Sequence, residues 1–264
     1  MESTTQIFLF EGLDILIPGD NSATDVPGGG SRADVPGPAV PAGVADAIVP
    51  VLSRRFARGG GRYEARLLDP AGAAAALALG LARVPVRQVI GSFDAEAMRP
   101  ALTGLALLHW LSGALRCGAC GEGLVDAPLA KPGDPAGHVS AEPEYREGGG
   151  SRVCPVCGRE HFPRISPAVI VLVRQGQEAL LARNARFPPD RFGLLAGFVE
   201  PGETLEEAAV REVREEAGIE IAKLRYVRSQ PWPFPDSLMV AFTADWASGE
   251  ARADGEEIVE LRWC

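Results

Sequence analysis

The chain has 264 residues, of which 46% are hydrophobic and 6% aromatic, and its formal net charge is -9. This length and apolar content predict one large or two ordinary globular domains with a sizeable core. The acidic balance argues against broad, charge-driven binding to nucleic acid or anionic membranes. The sequence contains neither an apolar run of about 18 residues nor a basic N-terminal segment, so we expect no membrane span and a cytoplasmic protein.

The N-terminal part of the chain is predicted to begin with strands. Residues 6–17 have the apolar pattern of a strand or of a strand and turn. Residues 18–47 are rich in Gly, Pro, Ser and Asp and are predicted to form a loop or a disordered insertion.

Two helices and a strand are predicted next. Residues 72–81 are rich in Ala and Leu and predict a helix, and residues 84–92 resemble a short strand. Residues 93–115 predict a longer helix, with Pro100 near an early turn or a break. We therefore expect a small α+β domain over residues 1–115, in which no catalytic constellation is visible.

Four of the five cysteines form two C-x-x-C pairs, Cys117 with Cys120 and Cys154 with Cys157. Two residues between ligands allow one tight turn to direct two sulfurs to one ion, and two such turns complete a tetrahedral zinc shell. We predict a structural zinc ribbon over residues 116–161, with a Gly/Pro-rich insertion between the pairs. Reduced cysteines without a metal are the alternative, and four thiolates disfavour catalytic zinc.

Three other residues near or beyond the ribbon receive simpler predictions. His138 and His161 are expected to be surface residues rather than ligands. Cys264 is terminal and has no partner spacing, so we assign it no role.

The pattern changes from residue 166 onward and predicts a mixed sheet with at least one helix, forming a domain over residues 162–264. The predicted strands cover residues 168–174, 178–183, 191–199, 219–229, 237–246 and 256–263. Residues 229–237, SQPWPFPDS, contain three prolines and predict a stiff loop that carries two aromatic residues.

Residues 204–218 predict an amphipathic helix. Thr204 and Glu207 fit a capping box, and Gly218 suits the C-terminal cap. The expected buried stripe consists of Leu205, Ala208, Ala209, Val213 and Ala217.

The same helix carries three carboxylates on one face. Glu212, Glu215 and Glu216 have the spacing i, i+3 and i+4, so their like charges repel one another. A divalent cation would reverse that repulsion, and oxygen ligands of this kind suit Mg²⁺ or Mn²⁺. A solvated acidic face is the alternative.

At this point the sequence resembles a known family. Residues 197–219 follow the pattern G-x5-E-x7-R-E-V-x-E-E-x-G-I and are similar to the Nudix box of Nudix hydrolases. The resemblance implies an α/β/α sandwich and Mg²⁺- or Mn²⁺-dependent hydrolysis of a nucleoside diphosphate linked to another group. It also implies roles for individual residues. The metal-binding carboxylates would be Glu212, Glu215 and Glu216. A bracing pair would be formed by Arg211 and Glu203, and backbone freedom beside the diphosphate would come from Gly197.

Two further features resemble the NADH pyrophosphatase subfamily, which includes NAD-capped RNA hydrolases. These are the SQPWPFPDS motif after the box and the cysteine ribbon before it. The resemblance implies hydrolysis of NADH or NAD⁺ to nicotinamide mononucleotide and AMP, removal of NAD caps from RNA 5′ ends, and a homodimer. It also implies that Glu257 joins the catalytic or metal-binding carboxylates, with Glu256 and Glu260 as neighbouring acids.

The same resemblance implies an aromatic pocket for the flat nicotinamide ring. The residues it places there are Phe162, Phe198, Gln230, Trp232, Ser237 and Met239. Core packing is the alternative for the three aromatic residues, and dimer packing is a further one for Trp232.

Two other functions remain open. One is a Nudix hydrolase of ADP-ribose or another dinucleotide, and the other is a zinc-ribbon nucleic-acid-binding protein with an impaired hydrolase domain. The family pattern also continues past the position of Trp263 with a further helix, which we expect this sequence to lack.

Overall fold

The computed structural model describes residues 6–18, 39–58, 61–90, 93, 95–127 and 150–264. The chain divides into two compact units, which are Met1–Arg164 with Pro233–Pro235, and Ile165–Trp232 with Asp236–Cys264. Most of the predicted insertion at 18–47, most of the stretch between the cysteine pairs, and His138 lie outside the described residues.

Among its described residues, the first unit contains a five-stranded sheet and four helices. Its strands are β1 (Gln6–Glu11), β2 (Asp14–Pro18), β3 (Leu52–Arg58), β4 (Gly61–Leu67) and β5 (Leu81–Pro85). Its helices are α1 (Ala42–Ala45), α2 (Pro70–Ala78), α3 (Val86–Val89) and α4 (Ala95–Gly113). The strand order is β3-β4-β1-β2-β5, in which β1 and β4 are parallel and the other pairs are antiparallel.

Both faces of this sheet are buried, which explains the unbroken apolar runs in its first strands. Phe8 and Phe10 of β1 pack into the cluster that contains residues of α4. Ile7 and Leu9 point the other way and pack into the cluster that contains residues of α1 and α2. Alternate side chains of a strand leave on opposite faces, so a strand covered on both sides needs apolar residues at every position.

Two predictions for this unit are refined by the structure. The strand expected over 84–92 ends at Pro85, and Val86–Val89 form a helical turn whose two valines are both buried. Proline presets the backbone for a helix start, and the i, i+3 spacing lets both valines face the core. Pro100 lies in an early turn of α4 without ending the helix.

The cysteine-bearing part of the first unit forms a small antiparallel sheet of three strands. They are β6 (Val125–Asp126), β7 (Arg152–Val153) and β8 (Glu160–His161).

The second unit is built on a mixed sheet with one helix, as the sequence predicted. Its strands are β9 (Ser166–Gln175), β10 (Glu178–Asn184), β11 (Leu195–Phe198), β12 (Glu220–Trp232), β13 (Ser237–Ser248) and β14 (Ile258–Trp263), and its helix is α5 (Leu205–Ala217). The order is β12-β13-β9-β10-β14, with β11 paired to β9, and the β13–β9 pair is parallel. Val169, Val171 and Val173 pack with Ala208, Ala209, Val213 and Ala217 of α5 in the core.

The proline-rich motif is a hairpin rather than a free loop. Strand β12 continues through Pro231 and Trp232, a turn covers residues 233–236, and β13 starts at Ser237. Proline is tolerated at this position because β12 is an edge strand, which has one side without ladder hydrogen bonds. Within the described ranges, no helix is long and apolar enough to cross a membrane.

The close packing of α4 on the first sheet gives a stability prediction. A Cβ added at Gly104 would lie 2.7 Å from the Cβ of buried Ala65, whereas one added at Gly113 would meet nothing within 4 Å. We expect Gly104→Ala to destabilise the protein by about 1–3 kcal/mol through overpacking, although alanine favours a helix by about 1 kcal/mol. Gly113→Ala is the matched control and should leave the melting temperature unchanged or raised in calorimetry. Equal stability of the two variants would contradict the close packing.

Candidate functional site

Helix α5 carries the acidic residues, and local hydrogen bonds fix both of its ends. The Thr204 side chain accepts the Glu207 N–H at 3.1 Å, and the Glu207 carboxylate accepts the Thr204 N–H at 2.8 Å. Gly218 has a left-handed φ of 68° and donates its N–H to the carbonyl of Arg214. The predicted capping box and glycine cap are therefore confirmed. They fix the first and last residues of the helix that carries the acids.

Arg211 is the centre of a hydrogen-bonded network at the start of this site. Its Nε and Nη2 donate to the two carboxylate oxygens of Glu203 at 2.6 and 2.8 Å. Its Nη1 donates to Glu212 at 2.8 Å and to Glu215 at 2.9 Å. Its Nη2 also donates to the carbonyl oxygen of Phe198 at 2.9 Å. One guanidinium thus ties the loop before the helix, the end of β11 and two acids of α5 together.

The network shifts the pKa values of two of its carboxylates in opposite directions. Hydrogen bonds from Arg211 hold the pKa of Glu203 at about 2, well below the ordinary value for a glutamate. The pKa of Glu212 is raised, because burial disfavours its charge more than Arg211 stabilises it. Glu203 is therefore charged and has a structural role, whereas the negative charge of Glu212 is only partly offset by Arg211.

Gly197 provides the space in which Glu212 lies. A Cβ at this position would overlap the Glu212 carboxylate, so any larger residue would force that carboxylate to move. Because Gly197 lies in extended strand β11, its need for glycine comes from close approach rather than from a special backbone angle.

Glu216 is the most deeply buried acid of the site, with 5% of its surface exposed. One of its oxygens accepts the N–H of Ala196 at 3.1 Å. Burial raises the pKa of Glu216 to about 8 against the effect of this hydrogen bond, and the nearby charges of Glu212, Glu257 and Asp254 raise it further. The carboxylate of Glu216 is thus largely shielded from water and lies near other negatively charged carboxylates.

Glu257 lies immediately before β14, and its charge acts on Glu216. The neighbouring acid Glu260 instead forms ion pairs with Arg183 at 3.1 Å and Arg262 at 2.6 Å. Glu260 is thus compensated by two arginines, whereas the charge of Glu257 contributes to the raised pKa of Glu216.

The carboxylates fit a hard divalent cation in donor type and in charge. Burial first, and neighbouring carboxylates second, raise the pKa of Glu212 and of Glu216, and a bound cation would offset both effects. Among the described residues, only the cysteine sulfurs and not these oxygens gather within 4.8 Å of one another. Separation is expected for like charges that have no cation between them.

The register of the second sheet aligns three of the predicted substrate-binding residues in one row. Phe198 pairs with Ala168, Ala168 pairs with Met239, and Met239 pairs with Gln230. Residues paired across strands project to the same face of a sheet. Val240, the next residue along β13, is buried in the core with α5, so the row lies on the opposite face. Phe198 is 59% exposed there.

The remaining predicted substrate-binding residues are divided between the two units. Ser237 pairs with Trp232, two residues along from Met239, so both lie on the same face as the row. Phe162 belongs to the first unit and is 65% exposed. Phe234, the second aromatic residue of the motif, belongs to the first unit and packs against its main core.

The four predicted zinc ligands come together, and their sulfur atoms lie within 4.8 Å of one another. The separations are 3.6 Å for Cys117–Cys157, 3.4 Å for Cys120–Cys154 and 3.8 Å for Cys120–Cys157. Four bonds of about 2.3 Å directed to the corners of a tetrahedron require sulfur separations of about 3.8 Å. The donor set and its spacing therefore fit one zinc ion.

The two cysteine turns share one backbone design. In each, a glycine after the second cysteine has a positive φ, 78° at Gly121 and 71° at Gly158, and donates its N–H to the first cysteine's carbonyl. The Ala119 N–H points to the Cys117 sulfur at 3.4 Å. Backbone N–H groups of Ala119 and Cys120, and a hydrogen bond with His161, lower the pKa of Cys117 to about 5. Thiolates favoured in this way are ready metal ligands.

The fold and these clusters define the class of the second unit. Residues 164–264 match the family model described as NUDIX domain, so this part of the chain is similar to that family. The chain is also similar to curated proteins named NAD-capped RNA hydrolase NudC, which confirms the predicted resemblance to that subfamily.

The similarity to these relatives covers part of each protein. The relative from Stutzerimonas stutzeri is 40% identical over 178 residues, covering 67% of this chain and 58% of that protein. The relative from Chromobacterium violaceum is 41% identical over 180 residues, covering 68% and 61%. The chain thus spans about 60% of the length of these curated relatives. A NUDIX hydrolase structure from Nitrosomonas europaea aligns with a TM-score of 0.43 at 22% identity, covering 56% of this chain and 76% of that chain.

Sequence reasoning missed three contributors to these sites. Asp254 lies close enough to raise the pKa of Glu216, and the Ala196 N–H binds the Glu216 carboxylate. His161, predicted to be a surface residue, is instead half-buried, lowers the pKa of Cys117, and has a buried Nε2. The dipeptide Asp254–Gly255 was the available signal for a structured turn, because Asp side chains cap turns that glycine completes.

The buried state of Glu216 gives a pH prediction. The pKa of Glu216 is raised in the folded protein, so the folded state holds a proton on this carboxyl at pH values where the unfolded chain has lost it. The stability that this proton contributes is fully present below about pH 4.5 and is lost as the pH rises through about 8. Without added Mg²⁺ or Mn²⁺, we expect Glu216→Gln to stabilise the protein by about 1–3 kcal/mol at pH 9 and little at pH 4. Thermal unfolding measures this, with exposed Glu206→Gln as the control. A stabilisation independent of pH would contradict the assignment.

Proposed function

We propose that the protein hydrolyses the diphosphate of NADH or NAD⁺ to nicotinamide mononucleotide and AMP, and that it removes NAD caps from RNA 5′ ends. The observation that carries the proposal is the acidic cluster of Glu212, Glu216 and Glu257 in a NUDIX domain, combined with the exposed row of Phe198, Met239 and Gln230. The similarity to proteins named NAD-capped RNA hydrolase NudC favours this substrate class over other diphosphates.

In this proposal, Glu212, Glu215, Glu216 and Glu257 hold Mg²⁺ or Mn²⁺. A bound divalent ion would neutralise the diphosphate oxygens and favour attack by water. Arg211 fixes two of these carboxylates and, through Glu203, the loop before the helix. Glu216, whose pKa is already close to neutrality, is the candidate to accept a proton from the attacking water.

The exposed row provides a surface on which a flat ring can stack. Phe198 presents an exposed ring beside the strand that carries Gly197, and Gly197 adjoins Glu212. Phe198 lies at the end of β11, and its ring and the Glu212 side of Gly197 face opposite sides of the sheet, so a nicotinamide stacked on Phe198 would pass its diphosphate around the end of this strand to reach the acids. Trp232 and Phe162 are proposed as further aromatic contacts, with Gln230, Ser237 and Met239 as polar and apolar contacts along the sheet.

The substrate proposal is tested by incubating the pure protein with NADH and Mn²⁺ or Mg²⁺ and separating the products. We expect AMP and reduced nicotinamide mononucleotide in equal amounts. Glu215→Gln should lower the turnover by about 10- to 100-fold without changing the far-ultraviolet circular dichroism, because it removes a metal-binding charge. Glu206→Gln, an exposed acid in the first turn of the same helix, is the matched control and should retain activity.

Parallel reactions separate the candidate functions. Turnover of NADH, NAD⁺ and NAD-capped RNA is compared with that of ADP-ribose under the same conditions. Hydrolysis of ADP-ribose without AMP release from NADH would refute the substrate assignment. Salt-dependent RNA binding without any hydrolysis would favour a binding protein with an impaired hydrolase domain.

We also propose that the four cysteines hold structural zinc. Metal analysis of the purified protein should then give about one zinc per chain. Cys154→Ser should lose the zinc and unfold at a lower temperature, because the thiolate set would be incomplete. Cys264→Ser is the control for thiol removal and should keep the metal. Full zinc content in Cys154→Ser would contradict the site.

A homodimer is proposed from the family resemblance, with Trp232 contributing at the interface. Trp232→Ala should shift the protein toward the monomer in sedimentation equilibrium and weaken NADH binding. Unchanged association and unchanged affinity would show that Trp232 has only a local structural role.

A further inference from the structure

We propose that Asp254 is a positioning residue, whose carboxylate folds the turn between β13 and β14 so that Glu257 is held against the acids of α5. This inference rests on the proposed divalent-metal site and adds to it a residue that makes the site rigid. The two acids differ in what they do. Glu257 would contact the metal, whereas Asp254 would act only through the backbone of the turn.

One carboxylate oxygen organises the turn. Oδ1 of Asp254 accepts the backbone N–H groups of Glu256 at 2.7 Å, Glu257 at 3.0 Å and Ile258 at 3.0 Å. Hydrogen bonds to a charged acceptor are stronger than neutral ones, and three of them converge on this atom. The backbone on both sides of Glu257 is thereby tied to a single side chain.

The turn is also closed from within. Gly255 has a positive φ of 82°, and its N–H donates to the carbonyl of Ile258 at 3.0 Å. Ile258 is only 3% exposed and belongs to the core of the second unit. A left-handed glycine and a buried anchor therefore limit the turn to a narrow range of conformations.

Two further hydrogen bonds attach this segment to its neighbours. The carbonyl of Glu257 accepts the N–H of Ala185 at 2.9 Å, just after β10. The N–H of Arg252 donates to the carbonyl of Ala217, the last residue of α5, at 2.9 Å. The turn is thus fixed between the end of a strand and the end of the acidic helix, and Asp254 lies between these two attachments.

Glu257 thus has an exposed side chain on a backbone that hydrogen bonds hold in place. Glu257 is itself exposed, so burial does not hold its position. Its neighbour Ile258 nevertheless packs in the same core cluster as Val213 and Ala217, which places Glu257 beside the acidic helix. Without the Asp254 hydrogen bonds, three backbone N–H groups lose their acceptor, and the turn gains freedom that a bound metal would have to remove.

The experiment measures Mn²⁺ binding by the loss of the free-ion signal in electron paramagnetic resonance, so it does not depend on the substrate. We expect Asp254→Ala to weaken Mn²⁺ binding by about tenfold or more, as for other residues that orient metal ligands. Asp254→Asn keeps an oxygen acceptor in place and should bind within about twofold of the parent protein. Glu256→Gln removes a neighbouring charge and should be unchanged. In a Glu257→Gln background, Asp254→Ala should have no further effect.

Three outcomes would overturn the proposal: unchanged binding in Asp254→Ala, equal losses in Asp254→Asn and Asp254→Ala, or additive losses with Glu257→Gln. Amide hydrogen exchange adds a test that does not require the alanine variant to fold. The N–H groups of Glu256 and Glu257 should exchange slowly in the parent protein and in Asp254→Asn, and fast exchange in the parent would refute the hydrogen bonds. Mn²⁺ binding of the expected pattern without NADH hydrolysis would refute the proposed substrate but not the role of Asp254.

Discussion

The second unit depends on one guanidinium. Arg211 contacts Glu203, Glu212 and Glu215 and a carbonyl of β11 at hydrogen-bonding distance. Without it, the acids of α5 would repel one another beside a buried strand, at a cost that rises as water is excluded. With it, one positive charge offsets part of that repulsion and fixes the loop, the strand and the helix together. The remaining negative charge is what makes the site suited to a divalent cation.

Backbone N–H groups supply a further part of the compensation, and they do so at both sites. The Ala196 N–H binds Glu216, and three N–H groups of the β13–β14 turn bind Asp254. In the cysteine turns, N–H groups lower the pKa of Cys117 and Cys154. Backbone donors carry no side-chain entropy and are already ordered by the fold, so they hold anions in place before a metal binds.

Features that follow from short-range rules were predictable. The capping box, the left-handed Gly218 and the paired cysteines each involve residues within about four positions, where spacing alone fixes geometry. The strands of the second unit and the first two strands of the chain followed from the apolar pattern, whereas β3 and β4 were not predicted. The helical turn at Val86–Val89 and the continuation of β12 through Pro231 did not follow, because core contacts and the free side of an edge strand outweighed local preference.

The sequence by itself determined the acidic helix and the set of four thiols, since local spacing fixes both. Only the tertiary structure decided how deeply Glu216 is buried, that Gly197 gives Glu212 room, and that Asp254 folds the turn that carries Glu257. It also decided that Phe198, Met239 and Gln230 share a row, because strand order and register join residues far apart in the chain. Such contacts depend on which strands pair, and no local pattern of residues specifies that choice.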